Sequence, residues 1–169
     1  HICDEDGNEL PNGSPGIVYF ELPAMPFGYF KDDAKTKGAQ HPKHANWSAL
    51  GDVGYVDDEG YLFLTDRATF MIISGGVNIY PQEIEDAMIL HPKVADVAVV
   101  GVPDAEMGEA VKAVVQLAEG VERSEAVTEE LMAYARQHIA HYKCPRSIDF
   151  MDELPRLPTG KLYKRLIKD

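Results

Sequence analysis

The spacing of apolar and polar positions changes near residue 70, which divides the chain into two parts. In the first part, short apolar runs such as 16–20 alternate with polar clusters rich in turn-forming residues, a pattern typical of β-strands joined by turns. The cluster at 57–60 predicts a hairpin. Residues 32–46 are polar and aperiodic, so a loop or a frayed helix is expected there. The pattern therefore predicts that residues 1–66 are rich in β structure.

After residue 70, runs of strand type alternate with segments of helical periodicity, separated by a break at 74–76. The predicted strands are 70–73, 94–100, 110–117 and 147–151. The predicted helices are one that Pro81 opens and that stops at 91–92, one at 128–139 and one at 162–167. The predicted fold class is α+β: a small domain with a short central sheet flanked by helices, preceded by strands that belong to a different, β-rich domain.

The charge of the chain excludes some partners. Sixteen Lys and Arg stand against twenty-eight Asp and Glu, which gives a net charge of −12. A chain this acidic repels nucleic acid and anionic membrane surfaces, so neither is an expected partner. A nucleotide or another polyanionic ligand would need a local cationic site.

Cysteine use and hydropathy indicate the compartment. Cys3 and Cys144 are far apart and fit no metal-ligand spacing, so a reducing cytoplasm is expected. The most apolar stretch, 94–103, is too short to span a bilayer and contains Asp96, so no integral membrane segment is expected. The chain opens on His1 in turn-rich sequence, and is therefore expected to be part of a longer protein.

Two generic motifs fail at positions that their chemistry requires. Gly160 and Lys161 suggest a phosphate-binding loop, but Pro155 replaces its first glycine and Leu162 its Ser or Thr. Ser74-Gly75-Gly76 follows a strand, but the remaining glycine of a dinucleotide-binding loop is missing. From the residues alone, the two glycines indicate a tight turn with positive φ.

Metal-binding patterns are equally incomplete. Residues 4–8 resemble the start of a calcium loop, but Glu9 occupies the position of its turn glycine. A plain turn is expected there. His41 and His44 have no further ligand near them in the sequence, so a solvated pair is expected rather than a metal site.

The most specific pattern lies near the end of the chain. Residues 154–161 read Leu-Pro-Arg-Leu-Pro-Thr-Gly-Lys, and their Pro and Gly residues predict a stiff loop that projects one lysine. This segment resembles the closing motif Pro-Arg-x-x-x-Gly-Lys of adenylate-forming enzymes. Other segments resemble the successive signatures of that family, in order and at the usual intervals: 51–57, 60–62, 66–67, 72–85, 91–94, 101–104 and 142–146.

The resemblance covers roughly residues 47–168 and implies the C-terminal portion of an acyl-CoA synthetase. Enzymes of this family join a carboxylate to the α-phosphate of ATP, release pyrophosphate and pass the acyl group to a thiol. The resemblance therefore implies ATP, Mg²⁺ and coenzyme A, with a fatty or related small-molecule carboxylic acid as substrate. Adenine, Mg²⁺ and most phosphate contacts are expected in the absent N-terminal domain of the same protein, so the fragment alone is expected to be inactive.

The resemblance also implies roles for individual residues. Lys161 matches the catalytic lysine, whose ammonium can bridge the attacking carboxylate and the α-phosphoryl oxygens. Asp52 matches the aspartate that accepts hydrogen bonds from both ribose hydroxyls, and Arg67 the arginine beside that ribose. Gly75 and Gly76 match the segment along which the pantetheine arm of coenzyme A passes, where backbone without side-chain bulk is needed.

The same resemblance gives a domain assignment. Residues 1–66 are expected to be the C-terminal β-rich tail of the large N-terminal domain, 67–69 a hinge, and 70–169 a lid domain that rotates between the two half-reactions. The sequence departs from the family pattern at Thr69, where the hinge is usually an aspartate or a lysine, and at Leu50, where a threonine often precedes the Gly-Asp pair.

Two rival functions stay open from the sequence. One is an adenylation enzyme that loads a carrier protein or forms an adenylate only. The other is a non-catalytic interaction module, although the presence of Asp52, Arg67 and Lys161 argues against decay of the site. The resemblance also implies a lysine acetyltransferase as a partner, since acetylation would remove the charge of Lys161.

Overall fold

The computed structural model describes residues 1–168, so Asp169, the last residue of the expected lid domain, lies outside the described residues. The chain forms two compact units, His1–Thr69 and Phe70–Asp169. Each unit has a β-sheet of its own, and the helices lie mainly in the second unit. The predicted α+β class is confirmed.

The first unit is built on a four-stranded antiparallel sheet. Its strands, in spatial order, are β1 (Ile2–Cys3), β2 (Gly16–Glu21), β3 (Trp47–Val56) and β4 (Leu62–Arg67). The predicted hairpin is confirmed: it joins β3 to β4, and the Asp57 carboxylate closes its turn by accepting hydrogen bonds from the backbone N–H groups of Glu59 and Tyr61 at 3.0 and 2.9 Å. Such Asx turns are a common way for a short polar side chain to satisfy loop amides.

The polar segment between β2 and β3 contains one short helix, α1 (Asp33–Gly38). Asp32 caps it, because its carboxylate accepts a hydrogen bond from the backbone N–H of Lys35 at 2.9 Å. No residue of α1 is buried. The expectation of a loop or frayed helix in this segment therefore agrees with a single exposed helical turn and its flanking loops.

The expectation of a solvated histidine pair is wrong for His41. Its side chain is buried, with 3% of its surface exposed, and its ring packs against those of Tyr19 and Trp47 at centroid distances of 4.7 and 4.9 Å. Desolvation lowers the pKa of His41, because burial disfavours the charged imidazolium. His44 is exposed as expected, although its ring stacks on Trp47 at 4.1 Å.

The second unit is organised around one central strand. Its strands are β5 (Ile72–Ser74), β6 (Val77–Ile79), β7 (Val94–Asp104), β8 (Gly108–Leu117) and β9 (Ser147–Phe150). Strand β8 pairs antiparallel with β7 and β5 and parallel with β9, while β6 pairs with β5 at the edge. The helices are α2 (Pro81–Met88), α3 (Glu125–His138) and α4 (Arg165–Lys168).

Both faces of the sheet in the second unit are covered. Side chains of β7 and β8 alternate between the faces, as the period of two requires. One set, which includes Val99 and Val115, packs with Ile84 of α2 and Leu131 of α3 in the main core. The other set packs against the C-terminal segment, at the cluster Ala98, Val114, Leu154, Leu162 and Ile167. The segment that carries Lys161 is thus held on the face opposite α2 and α3.

The structure corrects some of the predicted boundaries. The strand expected at 70–73 begins at Ile72, because residues Ala68–Phe70 form a short 3₁₀ helix. Strand β6 was not predicted, since three residues are too few to show a period. The helix expected at 162–167 comprises only Arg165–Lys168, because Leu162 instead forms a β-bridge with Arg156.

Candidate active site

Asp52 and Arg67 lie opposite each other on neighbouring strands of the first unit. They are partners in the register of β3 and β4, and the Arg67 Nε lies 2.9 Å from the Asp52 Oδ1. A second guanidinium nitrogen of Arg67 donates to the backbone carbonyl of Leu50 at 3.1 Å. Only a quarter of the Asp52 side chain is exposed. The two predicted nucleotide-binding residues therefore form one fixed pair that can still receive further hydrogen bonds.

Lys161 lies at the end of a tight hairpin loop in the second unit. The loop is closed by two backbone hydrogen bonds of 2.8 Å, from the N–H of Leu157 to the carbonyl of Lys161 and from the N–H of Gly160 to the carbonyl of Leu157. Gly160 has φ of +83°, which glycine adopts without strain. The side chain of Lys161 is exposed, and no carboxylate among residues 1–168 forms an ion pair with it. Its ammonium is therefore available to an external anion.

Arg156 fastens this hairpin to the sheet. Its guanidinium donates to the backbone carbonyl of Gly160 at 2.8 Å and forms an ion pair with the carboxylate of Asp96, on β7. The guanidinium is planar and rigid, so its two contacts together constrain the loop more than a single contact would. The backbone that carries Lys161 is thereby held in one place relative to β7.

Gly75 and Gly76 form the two-residue turn between β5 and β6. Their φ values are +58° and +77°, and the N–H of Gly75 donates to the carbonyl of Met107 at 2.8 Å. A Cβ at Gly75 would lie 2.5 Å from the Met107 Cε, whereas one at Gly76 would meet no atom within 4 Å. Gly76 is thus an exposed turn position where space for a side chain exists and backbone strain is the main obstacle.

Thr69 is exposed and lies within the 3₁₀ helix Ala68–Phe70, and it is the last residue of the first unit. Its hydroxyl carries no charge, so Thr69 cannot form the ion pairs that an aspartate or a lysine at this position could form. Thr69 therefore lies in the same unit as Asp52 and Arg67, and Lys161 lies in the other unit.

Lys143 and Glu83 form a contact that the sequence did not indicate. The Lys143 ammonium lies 2.6 and 2.8 Å from the two carboxylate oxygens of Glu83, and 19% of the lysine side chain is exposed. Partial burial is the largest single influence and opposes protonation, but the hydrogen bonds and charges of Glu83 and Tyr142 together outweigh it and raise the pKa of Lys143. The two residues therefore form an ion pair between segments that lie far apart in the sequence.

A cavity of about 420 Å³ lies in the second unit beside Gly75. The basic side chains on its wall are Arg136, His141 and Arg146. Arg146 lies 3.6 Å from the carboxylate of Asp104, and the backbone N–H groups of Met107 and Glu106 lower the pKa of Asp104 by hydrogen bonding to it. These residues come from separate segments, so no local sequence motif indicates that they share a cavity.

Metal ligands do not converge in the described part of the chain. No group of three or more His, Cys, Asp or Glu side chains within residues 1–168 is arranged to hold a metal ion. None of the helices in this range has both the length and the apolar character that a bilayer crossing requires.

A sequence profile of the AMP-binding enzyme C-terminal domain matches residues 83–161. The matched range runs from α2 to Lys161. A long-chain-fatty-acid–CoA ligase of Escherichia coli is 38% identical to 99% of the chain. The chain belongs to the adenylate-forming superfamily. Within this superfamily it corresponds to a C-terminal portion, as the resemblance implied.

Other members of the superfamily are similar over nearly the whole chain. A 3-oxocholest-4-en-26-oate–CoA ligase of Rhodococcus rhodochrous is 41% identical over 99% of the chain. The crystal structure of ATP-bound MatB from Rhodopseudomonas palustris superposes with a TM-score of 0.86 at 33% identity, over 99% of this chain and 32% of that one. The chain spans only 29% and 30% of the lengths of the two ligases.

Proposed function

We propose that the whole protein is an AMP-forming acyl-CoA ligase. It converts a carboxylate and ATP to an acyl-adenylate and pyrophosphate, and then transfers the acyl group to coenzyme A. The observation that carries this proposal is the similarity of 99% of the chain to enzymes that are CoA ligases. The isolated chain is proposed to be inactive, because it holds only part of the site.

The proposed domain assignment follows the division of the chain into two units. Residues 1–66 would end a large N-terminal domain, residues 67–69 would be the hinge, and residues 70–169 would be the lid. Support comes from the boundary between the units, which follows Thr69, and from the greater length of the relatives. A Thr at the hinge lacks the ionic contacts of an aspartate or lysine, so rotation there would depend on the backbone alone.

In the first half-reaction, Lys161 would stabilise the charge that develops on the reacting oxygens. The attacking carboxylate oxygen forms a bond to the α-phosphorus while the bond to pyrophosphate breaks, so negative charge gathers around the phosphorus. One ammonium between the carboxylate and the α-phosphoryl oxygens stabilises this arrangement more than the separated reactants. The exposed, unpaired state of Lys161 on a fixed hairpin supports that role.

Asp52 and Arg67 would hold the ribose of ATP. Each carboxylate oxygen can accept a hydrogen bond, and the ion pair with Arg67 at 2.9 Å fixes the plane of the Asp52 carboxylate on β3. Mg²⁺ would be held by the N-terminal domain, because the described residues offer no cluster of metal ligands. This chain would therefore contribute ribose contacts and one mobile cation to the nucleotide site.

Gly75 and Gly76 would border the path of the pantetheine arm in the second half-reaction. The turn they form has no Cβ, so an extended thiol-bearing chain can pass close to its backbone. The open space next to Gly76 supports this role, because a side chain added there would project away from its own unit.

Replacing Gly76 with leucine is expected to lower acyl transfer from the adenylate to coenzyme A at least about tenfold, with pyrophosphate release changed far less. Asn tolerates the left-handed region far better than leucine does, so Gly76→Asn separates strain from bulk. Both half-reactions are measured on the full-length protein by single-turnover assays. An equal loss in both half-reactions for Gly76→Leu would contradict the proposal that Gly76 borders the path of the pantetheine arm.

The acyl substrate is proposed to be a fatty or related carboxylic acid. The relative from Escherichia coli supports a long-chain fatty acid by its name, and the relative from Rhodococcus rhodochrous a steroid acid. Both are similar to this chain to nearly the same degree, so this segment does not select the acyl group. We also propose that the protein is cytoplasmic and that a lysine acetyltransferase can silence adenylation by neutralising Lys161.

The proposal is tested with the full-length protein, ATP, Mg²⁺, coenzyme A and a panel of carboxylates that includes short, medium and long fatty acids and a steroid acid. The expected products are AMP, pyrophosphate and an acyl-CoA in equal amounts. Adenylate formation with acyl transfer only to a carrier protein would favour the carrier-loading alternative. Absence of carboxylate-dependent ATP consumption across the panel would favour a non-catalytic module and contradict the proposal.

A further inference from the structure

Lys164 is a buried lysine three residues after Lys161. Only 7% of its side chain is exposed, and its ammonium lies 2.7 Å from Oε1 of Glu85, whose side chain is 8% exposed. Lysine and glutamate are almost never buried unless paired, since each charge loses its hydration when it leaves water. This buried ion pair lies only three residues along the chain from the proposed catalytic lysine, so it can influence how that lysine is held.

Glu85 connects the pair to two other elements. It lies on α2, and its Oε1 accepts a hydrogen bond of 2.6 Å from the backbone N–H of Val99, on β7. The C-terminal segment is thus fixed through one carboxylate to a helix on the far face and to β7, the strand at one edge of the sheet.

Short connections join Lys164 to the base of the Lys161 hairpin. The backbone N–H of Tyr163 donates to the carbonyl of Pro155 at 2.8 Å, and Leu162 forms a β-bridge with Arg156. Two ion-paired side chains, Arg156 and Lys164, therefore flank Lys161 along the chain. Arg156 holds the first arm of the hairpin through Asp96, and Lys164 follows directly on the second.

We propose that Lys164 is a positioning residue for adenylation. Its ion pair with Glu85 fixes the second arm of the hairpin, and with it the position of the Lys161 backbone relative to the sheet. This inference rests on the proposed function of Lys161. Hydrogen bonds between charged groups are directional, whereas an apolar side chain in the same place would allow the arm to slide. A shift of about 1 Å in a catalytic group can lower a rate on the order of 10²-fold.

The test uses the full-length protein with Lys164→Met, which keeps the length of the side chain and removes its charge. The kcat of carboxylate-dependent pyrophosphate release is expected to fall on the order of 10- to 100-fold, with the KM for ATP nearly unchanged because Asp52 and Arg67 are untouched. Transfer of a supplied acyl-adenylate to coenzyme A is expected to change less than about threefold, since that step does not require Lys161. Lys164→Arg is expected to recover most of the lost rate.

Lys112→Met is the matched control. Lys112 also lies in the second unit and pairs with Asp149 at 2.7 Å, but this pair is more exposed and joins β8 to β9. Its replacement is expected to leave the ratio of the two half-reactions unchanged. A purely structural role for Lys164 would lower both half-reactions together, in proportion to the folded fraction measured by calorimetry, and that result would overturn the inference.

Hydrogen exchange provides a readout that does not depend on activity. Lys164→Met is expected to accelerate exchange at the amides of Leu157 and Gly160, which close the hairpin, without accelerating it in α3. Glu85→Gln retains an oxygen for the Val99 N–H and serves if Lys164→Met does not fold. Unchanged exchange at the hairpin in a folded variant overturns the inference. A wild-type protein that shows no adenylation activity would overturn only the proposed function.

Discussion

Replacing Lys161 with alanine is expected to lower carboxylate-dependent pyrophosphate release on the order of 10²- to 10³-fold, the usual cost of removing one preorganised group that stabilises charge in the transition state. The side chain is exposed and forms no ion pair within residues 1–168. Its loss should therefore leave the fold intact. The measurement is the single-turnover rate of pyrophosphate release by the full-length protein at saturating ATP.

Two further variants make this result specific. Lys37→Ala removes another exposed lysine, on α1, and is expected to leave the rate unchanged. Lys161→Arg keeps the charge but spreads it over a larger planar group, so it is expected to restore only part of the rate. A rate for Lys161→Ala within about twofold of the wild type would contradict the catalytic assignment.

Replacing Asp52 with alanine is expected to raise the KM for ATP on the order of 10- to 100-fold, because one or two hydrogen bonds from the ribose to a charged group are lost. The ion pair with Arg67 is half exposed on the arginine side, so it contributes little stability of its own. The effect should therefore appear in ATP binding rather than in unfolding. Steady-state kinetics of pyrophosphate release with varied ATP give the measurement.

Asp58 provides the comparison for Asp52. It is an exposed carboxylate in the turn that follows β3, and Asp58→Ala is expected to leave the KM for ATP unchanged. The double variant of Asp52 and Arg67 is expected to cost less than the sum of the single changes, because the two residues act on the same ribose through one ion pair. An unchanged KM in Asp52→Ala would remove the nucleotide-binding assignment from this strand.

The sequence predicted the longest strands and the longest helix of the second unit. The strands β7 and β8 and the helix α3 overlap the predicted ranges 94–100, 110–117 and 128–139, since apolar β-branched runs and helical spacing leave little ambiguity there. The three-residue strand β6 was not predicted, because the two glycines before it predict only a break. The prediction of a turn with positive φ at Gly75 and Gly76 is confirmed.

The contacts that the sequence could not predict are those between distant segments. His41 is buried because Tyr19 and Trp47, on two other strands, enclose its ring. Lys164 is buried because Glu85 lies far back along the chain on α2. Nothing in the local sequence of either residue separates it from a solvated surface group, since charge and polarity alone favour exposure.

Under the proposed function, Lys161 approaches the Asp52–Arg67 pair when ATP and a carboxylate are bound to the full-length protein. Cysteine cross-linking in the full-length protein tests it most directly, with Lys161→Cys combined with Leu50→Cys, an exposed position whose carbonyl contacts Arg67. Cys3 and Cys144 are buried, and cysteines upstream are replaced by serine. The expected result is a cross-link through a short bis-thiol reagent that increases when ATP and the carboxylate are added. If both cysteines react with a monofunctional reagent but no ligand condition yields the cross-link, the approach of Lys161 to the Asp52–Arg67 pair is contradicted.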